Sequence, residues 1–257
     1  MALNSDDLRL ILNGPRPLWL AGLDLSGADL RYALLSGARL QEVTLTHANL
    51  SEADLSGALL SKTDLSGAKL VGANLSNAVL TKADLSRADL TDAVLRNANL
   101  TGVDLSGAKL VRADLSGAIM NMAQLGQWTL DNGDGFKTDL SGANLSKAAL
   151  CGATLEGAIL RRASLVQADL SNAVLSRADC SDAVLTSVNL TSADLRGAKL
   201  IGTDLSESIM TLAQLSLSFL DEDDYVGIET DLSGANLFKA MAHPAMRGGL
   251  SGMCERR

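Results

Sequence analysis

From Ala53 to Gly72 the chain reads ADLSG ALLSK TDLSG AKLVG. A leucine stands at every fifth residue, and a small residue precedes it by two. Outward from this stretch the frame runs from Leu25 to Leu125. The 21 positions spaced by five there are all leucine except Met120. The frame resumes at Leu140 and continues to Leu215, where 14 of 16 positions are leucine and Cys180 and Met210 are the exceptions. Between positions 23 and 123 the small residue is alanine at 17 of 21 sites. Asp or Asn often separates the two, and Ser or Thr and then Gly often follow the leucine, giving A(D/N)LSG.

A period of five fits neither a helix, at about 3.6 residues per turn, nor a strand, at about 2. The unit is therefore a repeated turn. If each unit forms one side of a rectangular coil, four units close 20 residues. Leucine and alanine then point inward and the other three positions point outward or along the wall. Stacked coils about 4.8 Å apart pair their backbones and satisfy N–H and C=O groups. Larger residues at every small site would overpack so narrow a core. The non-alanine small sites of the first block support a 20-residue coil: Leu23, Val43, Thr63 and Val103 are spaced by 20, 20 and 40.

Composition excludes several classes. Apolar residues make up 47% of the 257-residue chain and charged ones 20%, enough apolar surface for a folded core. Aromatics are 3%, too few for a core built on large side chains. The net charge of −8 is unsuited to binding nucleic-acid phosphates directly. No run of eighteen apolar residues and no leader-like start is present, so a soluble cytoplasmic protein without membrane association is expected. The cysteines Cys151, Cys180 and Cys254 form no CxxC spacing, and an odd count argues against a disulfide framework.

The tandem A(D/N)LSG pattern resembles the pentapeptide repeat family over roughly residues 21 to 242. The resemblance implies an all-β solenoid, a right-handed quadrilateral β-helix. It extends to cyanobacterial members, one of which regulates heterocyst differentiation through protein contact. Some gyrase-protecting members use much more phenylalanine at the central site, where leucine dominates here.

Three segments depart from the repeat. Residues 1–20 are expected to form an N-terminal cap. Ser5, Asp6 and Asp7 look like a helix start before Leu8, Leu10, Ile11 and Leu12, and Asn13-Gly14-Pro15 stops it. Such a helix would cover the unpaired edge of the first coil. Residues 243–257 are expected to be a C-terminal cap or tail. Within the solenoid, the frame breaks at Gly126–Lys137 (GQWTLDNGDGFK) and at Ser216–Glu229 (SLSFLDEDDYVGIE).

The breaks are duplicated. SGAIMNMAQL precedes the first and SESIMTLAQL the second, and both end in TDLSGANL. Further upstream, Ser86-Arg87-Ala88-Asp89 matches Ser176-Arg177-Ala178-Asp179. If each loop leaves and returns at one corner, the two project from the same or an adjacent side, four coils or about 19 Å apart. If the loops instead follow two sides of a coil, they face opposite ways. The corner arrangement is preferred, because neither loop carries the Ala-x-Leu pattern.

Four of the seven aromatics lie in these loops: Trp128, Phe136, Phe219 and Tyr225. With the acidic residues Asp131, Asp134, Asp221 and Asp224 they are the candidate partner-binding residues, since exposed aromatics on a rigid scaffold suit recognition. The competing reading folds the aromatics back to seal the coil. Asp131-Asn132-Gly133-Asp134-Gly135 resembles a calcium loop only superficially, because the ligand positions counted from Asp131 fall on glycines. No metal, cofactor or catalytic set is assigned: His47 faces outward, Cys180 takes a leucine site, and no Ser/His/Asp set or phosphate loop appears. The outward stripe Asp24, Asp64, Asp84 and Asp104 reads as turn support or as a recognition stripe. On another side, Leu59, Val79 and Ile119 share the outward column of Arg39 and Asn99 and form a candidate contact strip. The expected function is a non-enzymatic protein-binding scaffold or regulator, a monomer or weak dimer with a protein partner. The alternative is an acidic DNA mimic that binds a type II topoisomerase.

Overall fold

A computed structural model describes residues 17–129, 135–215 and 230–242. The helix expected near the N-terminus and the C-terminal segment from 243 fall outside the described residues. The chain coils with a rise of one strand spacing per 20 residues. Parallel bridges join Thr44 to Asp64, Asp64 to Asp84 and Asp84 to Asp104, and every wall repeats this step.

The four walls are numbered by the leucines they bury. Face 1 carries Leu25, Leu45 and Leu65, face 2 Leu30, Leu50 and Leu70, face 3 Leu35, Leu55 and Leu75, and face 4 Leu20, Leu40 and Leu60. The face 4 ladder has eleven rungs, from Trp19 to Met241, and is therefore about 48 Å long at strand spacing. Its last pair joins two short parallel strands, Ile209–Met210 and Met241–Ala242.

The pentapeptide is legible because every N–H in it acquires a partner. The Leu25 N–H donates up the stack to the Thr44 carbonyl at 2.7 Å, and the Gly27 N–H to the Thr46 carbonyl at 2.8 Å. The Thr44 N–H donates back down to the Leu23 carbonyl at 2.9 Å. The Ala28 N–H closes the turn on the Leu25 carbonyl at 3.1 Å. The remaining N–H, on Ser26, donates to Asp24 Oδ1 at 3.0 Å. The same bond from the residue two ahead is made to the outward Asp or Asn in twenty units among the described residues. Asp64, Asp84 and Asp104 each make it, so this acidic stripe is built for the turns.

The third residue of each turn has positive φ, as a type II turn requires. Fifteen of these residues are glycine and twenty-three are not, with φ near 58° at Lys62 and Arg87. Glycine is therefore preferred there for backbone ease, not demanded. Leucines and alanines fill the interior, with Leu35 to Leu205 essentially inaccessible. Where threonine replaces the inward alanine, its hydroxyl finds a carbonyl: Thr63 donates to Leu40 O at 2.6 Å and Thr203 to Cys180 O at 2.8 Å. Cys180 sits in a leucine site, and burial pushes its thiol pKa up to about 12, so it is an inert core residue.

Candidate interaction edge

Both breaks leave the coil at one edge and re-enter it there. Lys109 pairs with Asp139, an offset of 30 in place of 20, so the chain leaves face 1 after Leu125 and returns on face 2 at Leu140. Lys199 pairs with Asp231, an offset of 32, so the second break leaves face 1 after Leu215 and returns on face 2 at Leu232. Gln124, Thr154, Val174, Asp194 and Gln214 are successive rungs of face 1. The two bases therefore stand four coils apart, about 19 Å, on the edge between faces 1 and 2.

The first break forms a short antiparallel hairpin, β1 (Trp128–Thr129) with β2 (Gly135–Phe136). It lies back along its own edge toward the N-terminal coils. Trp128 stacks on Phe136 with ring centroids 6.1 Å apart. The Arg87 guanidinium covers the Trp128 ring at 4.6 Å, a cation–π contact of about 0.5–1 kcal/mol at an exposed site. Gly107 lies beneath: a Cβ there would meet Trp128 Cβ at 2.9 Å and Phe136 Cβ at 3.1 Å. A glycine at this turn lets the hairpin close on the wall. Trp128 is half-buried on this seat while Phe136 stays 57% exposed. The tryptophan folds back on the wall and the phenylalanine faces solvent.

Thr138 ties off the return. Its buried hydroxyl accepts from the Gly107 N–H at 3.0 Å and lies 2.7 Å from the Gly126 carbonyl and 3.0 Å from that of Leu105. Thr230 holds the matching place after the second break and donates to the Leu195 carbonyl at 2.8 Å. The arginine and the glycine recur in the coils before the second break. Arg177 and Gly197 lie two coils and one coil before the second break, as Arg87 and Gly107 do before the first. Asp131 and Asp134 of the first loop, and Phe219, Asp221, Asp224 and Tyr225 of the second, lie outside the described residues.

On the side of the hairpin toward the second break, a groove of about 370 Å³ is lined by Gln127, Thr129 and Lys137 of the loop and by Thr154, Glu156 and Arg177 of the coils. Sequence reading did not single out Arg87, Arg177 or this groove. The signal was present in the duplicated Ser-Arg-Ala-Asp, which the 20-residue period places on the loop edge. Nearby, Arg196 pairs with Asp194 at 2.7 Å and holds that carboxyl below its ordinary range, first through its side-chain hydrogen bond. Among the described residues no group of three or more His, Cys, Asp or Glu side chains is arranged to hold a metal ion.

Comparison with known proteins agrees with this geometry. The pentapeptide repeats profile matches residues 24–61, 58–97, 93–127, 138–177 and 173–211, in eight copies. No curated protein matches the sequence significantly. Among solved structures, HetL of the cyanobacterium Nostoc sp. strain PCC 7120, a pentapeptide repeat protein involved in heterocyst differentiation regulation, is 32% identical. The match covers 93% of this chain and 96% of HetL with a TM-score of 0.55. QnrB1, a plasmid-mediated fluoroquinolone resistance protein, shares the fold at 16% identity and a TM-score of 0.55, over 92% of this chain and 95% of its own. The fold of these neighbours is the right-handed quadrilateral β-helix, and its four-sided coil is the ladder described above. The chain belongs to the pentapeptide repeat family.

Proposed function

We propose that the chain is a non-enzymatic scaffold that binds a protein partner along the edge between faces 1 and 2. The observation that carries this reading is the placement of both breaks on that edge, four coils apart, each with an arginine two coils and a glycine one coil before it. A rigid ladder fixes the distance between the two loop bases. A partner that engages both loops then forgoes little further ordering entropy for the second contact. Phe136 offers an exposed ring, and the groove beside it supplies Lys137, Glu156 and Arg177 for polar contacts. The likeness to HetL favours a regulatory role over a purely structural one.

The test is capture of partners by the intact chain and by a variant in which residues 127–136 are replaced with a Gly-Ser turn. Loss of a specific protein with the loop supports the edge. Recovery of a type II topoisomerase selects the DNA-mimic alternative instead. Retention of every partner by the loop-deleted protein overturns the assignment. With a partner in hand, Phe136→Ala is expected to weaken binding by about 1–3 kcal/mol while leaving the melting temperature unchanged.

A further inference from the structure

A second edge differs from the other three in its chemistry. Between faces 4 and 1, the ten turn residues from the coil of Met122 to the coil of Leu212 include no Asp, Glu, Lys, Arg or His. Over the same coils each of the other edges carries charge, such as Glu156 and Arg177, Arg161 and Asp182, or Lys147 and Glu207. The charge-free stretch ends in an apolar knob at both ends. Met122 is 63% exposed and Leu212 is 59% exposed, and each sits at the left-handed turn position with φ 58°. Elsewhere on this edge the position holds glycine or a polar side chain: Glu42, Lys62, Lys82, Asn172 and Ser192. Nothing inside the coil requires an apolar side chain there. Ile119 and Ile209 flank the knobs on face 4, the former 42% exposed. The knobs belong to the duplicated IMxxAQL motif and stand four coils, about 19 Å, apart.

We propose that this edge is a self-association surface that takes a second copy of the chain, side by side and antiparallel. A partner must present two apolar sites at this same spacing, and a second copy does so by construction. A two-fold axis at the level of Asn172, midway between the knobs, sets Met122 of one protomer on Leu212 of the other, and the reverse. Such an interface is self-complementary. No turn residue of this stretch of the edge carries a charge, in keeping with the depletion of charge in interface cores. Asp169, set back on face 4, already accepts from the Ser171 N–H and the Asn189 amide. Asp194, on face 1, is paired with Arg196. One edge about 19 Å long buries less than a tight complex needs, so the dimer is weak, with a dissociation constant on the order of 100 µM. This surface is distinct from the loop edge and leaves both breaks free.

The experiment is sedimentation of the full chain from about 5 µM to 1 mM, with three variants. Met122→Lys with Leu212→Lys is expected to weaken association at least tenfold. Its circular dichroism should match the parent, because Lys62 and Lys82 already occupy equivalent turns. In a Cys151→Ser, Cys254→Ser background, Asn172→Cys should form an intermolecular disulfide under mild oxidation. Ser192→Cys should not, since its two copies would lie about 9.6 Å apart along the axis, beyond disulfide reach. A monomer throughout the range, association indifferent to the lysine pair, or equal crosslinking at positions 172 and 192 would each overturn the proposal.

Discussion

Leu95 tests the central packing claim. It is fully buried on face 3 between Leu75 and Leu115, which are equally buried. Replacing it with alanine removes three carbons, worth about 2.4 kcal/mol at roughly 0.8 per buried methylene. A cavity term follows if the walls stay apart. They are held: Leu95 N–H donates to Asp114 O at 2.7 Å, Leu75 N–H to Val94 O at 2.7 Å, and Val94 N–H to Ala73 O at 2.9 Å. Collapse into the void would break this ladder on both sides. A retained cavity of some 70 Å³ adds about 1.7 kcal/mol, for a total near 4. Leu34 provides the control, an outward leucine that is 66% exposed. Leu34→Ala is expected to change stability by less than about 0.5 kcal/mol. The assay is urea denaturation followed by circular dichroism, with unchanged slopes confirming comparable transitions. A loss below about 1 kcal/mol for Leu95→Ala, or equal losses for the two leucines, would refute the inward assignment.

Deleting Ser66 to Leu85 removes one coil and keeps every later residue on its face, so solubility and circular dichroism should persist; deleting only Ser66 to Ala83 should abolish both, and equal behaviour would contradict the 20-residue coil. The carboxyls of Asp24, Asp92 and Asp194 are lowered, chiefly by side-chain hydrogen bonds from Ser26, Arg112 and Arg196 respectively. A folded pKa below the unfolded value stabilises above the unfolded pKa of about 3.9 and is lost as pH falls through the folded one. Thermal stability should therefore hold from pH 8 to pH 5 and decline below about pH 4, and a loss centred near pH 6 would point to other groups.

The repeat announced its own architecture because each of its five positions has one physical task. Alanine and leucine fill the prism, aspartate or asparagine holds the free N–H of the turn, and the third turn residue takes a positive φ. The 20-residue period was visible in Val43, Thr63 and Val103, which all stand before face 1 leucines. The first break was harder to place. Leu130 falls on the five-residue frame, so a count of leucines does not show whether the coil continues through it. The residue two before it is Trp128, far too large for an inward alanine site, and the segment leaves the wall. Where Trp128 then goes depends on Arg87 and Gly107, residues 41 and 21 positions earlier, and no local pattern reveals that contact. The strip on face 4 was legible as a column but not as a surface: Ile119 is exposed, while Leu59 and Val79 are half-buried between their neighbours.

The two breaks differ in length by two residues, and the walls beyond them do not register it. The pairing offset passes through 30 at one and 32 at the other, yet Asp139 and Asp231 stack on the same column. Chain length and axial height are thus decoupled at this edge. The phase of the prism is reset by the returning Thr-Asp-Leu, not by counting residues across the gap. Any peptide whose ends meet there can be spliced in without disturbing the coils above, at heights that advance in steps of about 4.8 Å. The solenoid is in this sense a graduated post, on which lineages or designers can hang new segments at chosen intervals while the thread of the screw continues unbroken.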